Sequence, residues 1–428
     1  MAKIISFFTG CGALDYGINS QLNATLTMCC ELDKNIQQTI RHHHPTVPIK
    51  DDIMQLTAES IRKDCNLQEN DNLICIGGSP CPSFSTAGKR KSLDDPRGAC
   101  LPKFLNLSIG LNAKYIVLEN VRGILSAKVN GQKPGSVMEM VVGPLEQAGY
   151  KVSYQLYDAK YFGAATSRDR VILMAVKDNI ALPFLTPTHG INNVPFVTLG
   201  DVLSTLPKDL KHHHTQFTAK RLPFFKMLKA GQNWKSLSPE ALIQAVPAGT
   251  RKSVGGKTGL FRRLAWDKPC PTLICLPTYN TTALCHPEEH RPLSVEEYKV
   301  IQGFPLDYII KGSNITQYKQ LGNCVPIKLG EAIGKVISQH MNGVKSTTHA
   351  YIQCSRYHCK PYVSTENIPS TRGFKRIKLY QQLEEANELA CIANEMGNVK
   401  AEQAANHQAL IIMNKMSDEE LSEFINNH

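Results

Sequence analysis

Three residue types, each set where an apolar run ends, could together work on a flat polar ring. In the stretch 77-GGSPCPSFSTAGKR-90, Cys81 lies between two prolines, just past the apolar run 73–76. The prolines stiffen the backbone around one thiol, a frame that a packing cysteine does not need. Lys89, Arg90 and Lys91 follow closely, and nearby cations favour the thiolate, the nucleophilic form. Glu119 ends a second apolar run, 115–118, and is followed by Asn120-Val121. A part-buried carboxyl there has a raised pKa and can donate a proton near neutrality. Arg168 and Arg170 form an RxR pair entering another strand. Alternate strand residues share a face, and one of the two arginines is open to a structural ion pair instead.

A thiolate, a carboxylic acid and an arginine suit an electrophile activated through a ring nitrogen and a carbonyl. Methylation of cytosine at C5 has those needs. Attack by the Cys81 thiolate on C6 turns the ring into an enamine. Glu119 at N3 offsets the charge that develops, and an arginine holds O2. A second constellation lies upstream. Phe8-x-Gly10-x-Gly12 reads as a glycine turn between a strand and a helix, where backbone can approach an adenosine-type ligand. Glu31, about 20 residues on, is placed to accept from ribose hydroxyls. Asp52-Ile53 offers a carboxylate beside an apolar cover for an adenine. Ala13-Leu14-Asp15 stands where a dinucleotide fingerprint has its third glycine, which argues against a dinucleotide.

The elements that must position these groups alternate. Strand signals at 4–8, 26–31, 73–76, 115–118, 151–157 and 171–176 are interleaved with helix signals at 14–21, 34–42, 101–111 and 137–147. This predicts an α/β fold, a doubly wound sheet with helices on both faces. Ligands of such sheets sit at the carboxyl ends of strands, and Gly10, Gly12, Glu31, Cys81 and Glu119 all fall just after predicted strands. From about 178 to 312 prolines, histidines and polar loops replace the alternation, so a second, smaller and irregular domain is expected there. A loop and a helix over 320–339 return to the first domain. From 345 to 428 a loop and then helices at 380–395, 402–413 and from 417 are expected, an extension of unassigned role.

The ordered motifs of residues 4–340 resemble those of the DNA cytosine-C5 methyltransferases. They are Phe8-Thr9-Gly10-Cys11-Gly12, Glu31-Leu32-Asp33, Asp52-Ile53, Gly78-Ser79-Pro80-Cys81, Asp95-Pro96-Arg97-Gly98, Glu119-Asn120-Val121, Ser167-Arg168-Asp169-Arg170, Arg262-Arg263-Leu264 and Gly322-Asn323-Cys324-Val325-Pro326. The resemblance implies a Rossmann-like methyltransferase domain over 1–177 and 313–344, a target-recognition domain over 178–312 and S-adenosylmethionine as methyl donor. Phe8, Gly10, Gly12, Glu31, Asp52, Ile53, Pro80, Asn323 and Val325 would line the donor's pocket. Cys81 maps onto the nucleophile, Glu119 onto the N3 contact and Arg168 onto the arginine beside the base. Double-stranded DNA read at a short sequence is the implied substrate, bound by a monomer with its target base out of the stack, and a restriction endonuclease acting at the same site is the implied counterpart. Two other readings stay open, the same chemistry on tRNA and an inactive DNA binder. The chain departs from the family pattern at Ala13, Pro82 and Thr166, none of which is a reacting group.

Bulk properties agree. The 428 residues carry a formal net charge of +11, which suits a polyanionic partner. Lys220, Arg221, Lys226 and Lys229 are the candidates for gripping phosphates. The fourteen cysteines are expected to be reduced, because no secretory leader opens the chain and its length is not that of a disulfide-stapled mini-domain. A cytoplasmic or nuclear location, no membrane span and no metal site are expected.

Overall fold

Apolar runs bounded by turn residues form the strands, and the order in which they pair creates one crevice. In the computed structural model, the strands β1 (Ala2–Phe7), β2 (Ala24–Cys30), β3 (Ile49–Lys50), β4 (Leu73–Gly78), β5 (Tyr115–Asn120), β6 (Lys151–Asp158), β7 (Asp169–Val176) and β8 (Tyr362–Val363) make one eight-stranded sheet. Its order is β3-β2-β1-β4-β5-β7-β6-β8. Strands β1 to β5 run parallel, while β7 is antiparallel to both β5 and β6. From β1 the chain goes first to β2 on one side and later to β4 on the other, so the switch point lies between β1 and β4, where ligands of such sheets bind. The described residues are 2–79, 99–129, 134–190, 194–251, 259–279, 281–346, 352–355, 357 and 360–364. The chain divides into the units Met1–Ser364 and Thr365–His428, and every described residue lies in the first.

Alternation along each strand builds a core on both faces. Ile5, Phe7, Cys75, Ile116 and Leu118 face one side with Phe104, Val141 and Leu145. Ile4, Ile74, Ile76, Tyr115 and Val117 face the other with Ile18, Leu329 and Ile333. The two-residue period of a strand produces this division. On the first side lie α4 (Cys100–Gly110) and α5 (Ser136–Gln147), whose buried residues belong to that core; on the second lies α1 (Ala13–Asn19). Helices α2 (Lys34–His43) and α3 (Ala58–Asp64) complete the crossovers. Apart from β3 and α3, which the sequence reading did not contain, these elements match it to within a few residues, and the expected doubly wound sheet is present, with an antiparallel β7 inserted between β5 and β6.

The segment 178–312 contains the short helices α6 (Leu199–Leu203), α7 (Leu222–Lys226), α8 (Pro239–Ala245) and α9 (Ala248–Arg251), followed by α10 (Val295–Gln302). Phe217, Phe225, Trp234, Phe261 and Cys285 form a core of their own. Arg221 does not behave as a phosphate grip. Its guanidinium lies 5.2–5.8 Å from the centroids of Phe217, Phe225 and Phe261 and donates to the Thr278 carbonyl at 2.7 Å. Lys220, Lys226 and Lys229 are exposed.

The loop and helix expected over 320–339 appear as a break at 324–326 followed by α12 (Ile327–Met341), and a further helix, α11 (Asn314–Asn323), precedes them. Pro326, which lacks an N–H, stands at the start of α12. Helix α12 lies on α1 through glycines. A Cβ at Gly17 would come 2.4 Å from the Ile327 carbonyl oxygen, and one at Gly334 would come 2.4 Å from that of Ile18. Gly17→Ala must push the helices apart, and a urea melt is expected to show a loss of about 1–3 kcal/mol. The stretch after 345 is not helical where it is described, since Tyr362–Val363 is the edge strand β8. The helices expected at 380–395, 402–413 and from 417 lie outside the described residues.

Candidate active site

Beyond β1 the chain makes a tight turn in which Phe8, Gly10 and Gly12 all have positive φ (56°, 57° and 80°). Gly12 is the N-cap of α1 and Ala13 its first residue, so the alanine departure falls on ordinary helical backbone and costs nothing. Glu31, at the end of β2, clamps the turn. One carboxylate oxygen accepts from the Gly10 N–H at 2.9 Å and the other from the Asp33 N–H at 2.9 Å. Burial pushes this carboxyl above its ordinary pKa, partly countered by the two backbone donors.

At the ends of β4 and β5 stand Glu119 and the residues that hold it. Glu119 is 6% exposed, and burial raises its pKa against the opposing pull of Arg170 and then Arg168. Its Oε1 lies 2.5 Å from Arg170 Nε. A Cβ at residue 78 would come 3.0 Å from its Oε2, so Gly78 leaves the carboxyl its room. Asn120 Nδ2 donates to Ser79 Oγ at 2.9 Å, tying the end of β5 to the residue two before Cys81. Cys81 and Pro80 lie outside the described residues.

The two arginines divide their work differently from the sequence reading. Arg168 is 3% exposed and donates from its two terminal nitrogens to the carbonyls of Leu273 and Gly322, at 2.9 and 2.8 Å. Its own N–H is held by Asp158 Oδ1 at 2.8 Å. Arg168 therefore pins the 273 and 322 segments to the sheet, while Arg170, which the motif left ambiguous, is the one against Glu119.

A single cavity of about 990 Å³ connects the two constellations. Phe8, Gly10, Glu31, Glu119, Arg168, Asn323 and Val325 line it. Gly12, Asp52 and Ile53 are not on its lining. Gly12 faces the Tyr308 hydroxyl, Asp52 caps the Met54 N–H at 2.9 Å, and Ile53 is buried beneath. The lining also includes Arg170 of the RxR pair, Leu32 and Asp15, which the motifs contain but gave no lining role, and Cys275 and Lys319, which nothing local marked. Thr166 is fully buried, with its Oγ1 3.4 Å from the Pro271 carbonyl oxygen, so its departure from the family pattern serves packing.

Asp15 is a buried acid in the first turn of α1, and its Oδ1 has no hydrogen-bond partner. Burial pushes its pKa up to about 7, only partly offset by hydrogen bonding to Ser6. Below the unfolded value of about 3.9 both states are protonated and nothing is lost. Between there and about 7 the unfolded chain ionises while the folded one stays protonated, so folding stability falls, and above 7 the loss levels off. Asp15→Asn is expected to add about 1–2 kcal/mol at pH 8 and almost nothing at pH 4, read from urea melts at both values.

Comparison with known proteins gives concordant findings. Residues 2–339 match the family model of C-5 cytosine-specific DNA methylase. The type II methyltransferase M.Sau96I of Staphylococcus aureus is 30% identical over 344 residues, 79% of this chain and 76% of the relative. M.PspPI of a Psychrobacter species is 31% identical, over 79% of this chain and 80% of its own length. Among solved structures, a putative DNA modification methyltransferase encoded within an Escherichia coli prophage aligns with a TM-score of 0.59 at 22% identity, covering 80% of this chain and all of that one; that likeness speaks for the fold.

Proposed function

The chain belongs to the C-5 cytosine-specific DNA methylase family, and on that premise we propose that its cavity takes S-adenosylmethionine at the glycine turn and a cytosine, turned out of a short duplex sequence, at Glu119. The observation that carries this reading is the continuity of the cavity between the turn clamped by Glu31 and the Glu119–Arg170 pair. Its volume lies in the range of sites that enclose a small-molecule ligand. Each oxygen of Glu31 accepts one backbone N–H and keeps a lone pair for a ribose hydroxyl. Phe8, Gly10, Asn323 and Val325 complete the donor end. S-adenosylmethionine bound there supplies an electrophilic methyl group.

The chain's own residues do the rest. The Cys81 thiolate forms a bond to C6 of the cytosine. The electron pair displaced from the C5–C6 bond is stabilised through N3, where Glu119 supplies a proton, and Arg170 holds the carboxyl and stands beside O2. C5, now nucleophilic, takes the methyl group. Loss of the C5 proton to water, departure of the thiolate and return of the N3 proton to Glu119 then restore the ring. Extrusion of the base is required because C6 is out of reach in the stack. Residues 178–312 read the sequence, with Lys220, Lys226 and Lys229 towards phosphates. By likeness to the type II relatives, an endonuclease reading the same site is the counterpart, and one copy of the chain acts on each site.

Bisulfite sequencing of DNA and tRNA from cells expressing the chain tests this reading. Protected cytosines at one short duplex sequence are expected. No protected DNA cytosine, or protection confined to tRNA, would overturn it.

A further inference from the structure

The family match stops at residue 339, yet the described part of the following segment is built into the sheet behind the reacting groups. We infer that the described residues 352–355, 357 and 360–364 act as a strap that positions Glu119 and Arg170, with Ser355 and Tyr357 as its positioning residues; the inference rests on the function proposed above for those two groups.

Three sets of contacts carry it. The first runs along β6. Asp158 N–H donates to the Cys354 carbonyl at 2.7 Å, and Gln155 Nε2 donates to that of Ile352 at 2.9 Å. Asp158 is fully buried and is the same residue that accepts from Ser167 Oγ at 2.7 Å and from the Arg168 N–H at 2.8 Å. The strap therefore grips the residue that sets where β7 begins. The second contact is on β7 itself. Ser355 Oγ donates to Asp169 Oδ1 at 3.0 Å. Asp169 lies between the two arginines, and with the period of a strand its side chain and that of Arg170 point to opposite faces. Holding Asp169 from behind fixes the direction in which Arg170 leaves the strand.

The third contact is on the segment that follows Glu119-Asn120. The Arg122 guanidinium stacks 3.4 Å from the centroid of the Tyr357 ring, a contact that both packs and attracts electrostatically. Beyond it the strap is anchored as β8. Tyr362 and Val363 pair with Tyr154 and Ser153, Ser364 N–H donates to the Val152 carbonyl at 2.7 Å, and the Tyr362 and Ser364 hydroxyls both reach Glu146 Oε1. One segment thus ties together the ends of β5, β6 and β7. Small misplacements of reacting groups cost rate steeply, so loosening the strap should act on the chemical step and leave the donor end, on β1 and β2, untouched.

The test uses the full chain and the double variant Ser355→Ala/Tyr357→Ala. Its single-turnover methyl transfer, at saturating donor and DNA, should be at least about tenfold slower, with the Kd for S-adenosylmethionine within about twofold of wild type. Ser355→Thr/Tyr357→Phe keeps the hydroxyl and the ring face and should recover the rate to within about twofold. A rate unaffected by the alanines, or one lost only in step with donor binding, overturns the strap. Should the double variant not fold, Ser355→Ala alone is expected to slow transfer about threefold, and no slowing overturns the inference equally. Hydrogen exchange decides without any activity. Peptides carrying 119–122 and 167–172 should exchange about tenfold faster when the strap residues are alanine; unchanged exchange overturns the strap. A wild-type chain that methylates no cytosine defeats the proposed function, while the exchange result still judges the strap.

Discussion

Cys81→Ala is expected to abolish methyl transfer, by at least about 10⁴-fold, while duplex and donor binding stay within a few-fold of wild type. Removing the thiol leaves no group to add to C6, and without that addition C5 is too poor a nucleophile to take a methyl group. Among the described residues three cysteines line the cavity, Cys11, Cys275 and Cys324. The Cys11 thiol is pushed well up in pKa by hydrogen bonding to Cys324 and by burial, burial also raises Cys275, and Cys324 Sγ donates to the Leu321 carbonyl at 3.2 Å. None of the three sits at the end of β4. The residue that does lead into Cys81 is Ser79, which Asn120 holds at 2.9 Å beside the carboxyl of Glu119. Transfer and binding measured on the same preparation check the expectation; near-normal turnover in the variant would place the nucleophile elsewhere.

Glu119→Gln is expected to slow transfer about 10²–10³-fold with little change in donor affinity. Glutamine still donates a hydrogen bond but has no acidic proton to give, and it loses its charge against Arg170, whose Nε stands 2.5 Å from the native carboxylate. The donor end is held by a different carboxyl, Glu31, through two backbone donors, so binding there should persist. The arginines extend the argument. Arg170→Ala should fall on the chemical step, because it removes the cation beside Glu119. Arg168→Ala should fall chiefly on stability, because it strips the Leu273 and Gly322 carbonyls of their partner in a buried place. Single-turnover rates and urea melts on both variants separate the two, and a reversed pattern would return Arg168 to the base.

The sheet and the place of Glu119 at the end of β5 were legible because each depends on a local signal. Apolar runs ending in Gly77-Gly78 or Glu119-Asn120 mark strand ends, and the switch point between β1 and β4 collects those ends into one crevice. What could not be read depends on distant partners. Which arginine faces Glu119 is decided by Asp158, a residue of another strand, taking the Arg168 N–H. Arg221 looked like a phosphate grip because its three phenylalanines are spread from 217 to 261 along the chain. Asp52 and Ile53 follow the motif, yet neither is on the cavity lining, and Asp52 caps the Met54 N–H. Strand β8 is two residues long, and no periodicity can mark it; the free edge of β6 makes it a strand. The raised pKa of Asp15 comes from the burial of α1, which composition does not display.

All of this turns on one covalent bond between a sulfur and a pyrimidine carbon. The direct measurement is to incubate the wild-type chain and saturating S-adenosylmethionine with duplex DNA carrying 5-fluorocytosine at the methylated position, digest the complex, and map the peptide bound to DNA by mass spectrometry. Fluorine at C5 cannot leave as a proton does, so the thioether should persist, and the DNA should be found on the peptide containing Cys81. Absence of any adduct, or an adduct on a peptide without Cys81, would contradict the account.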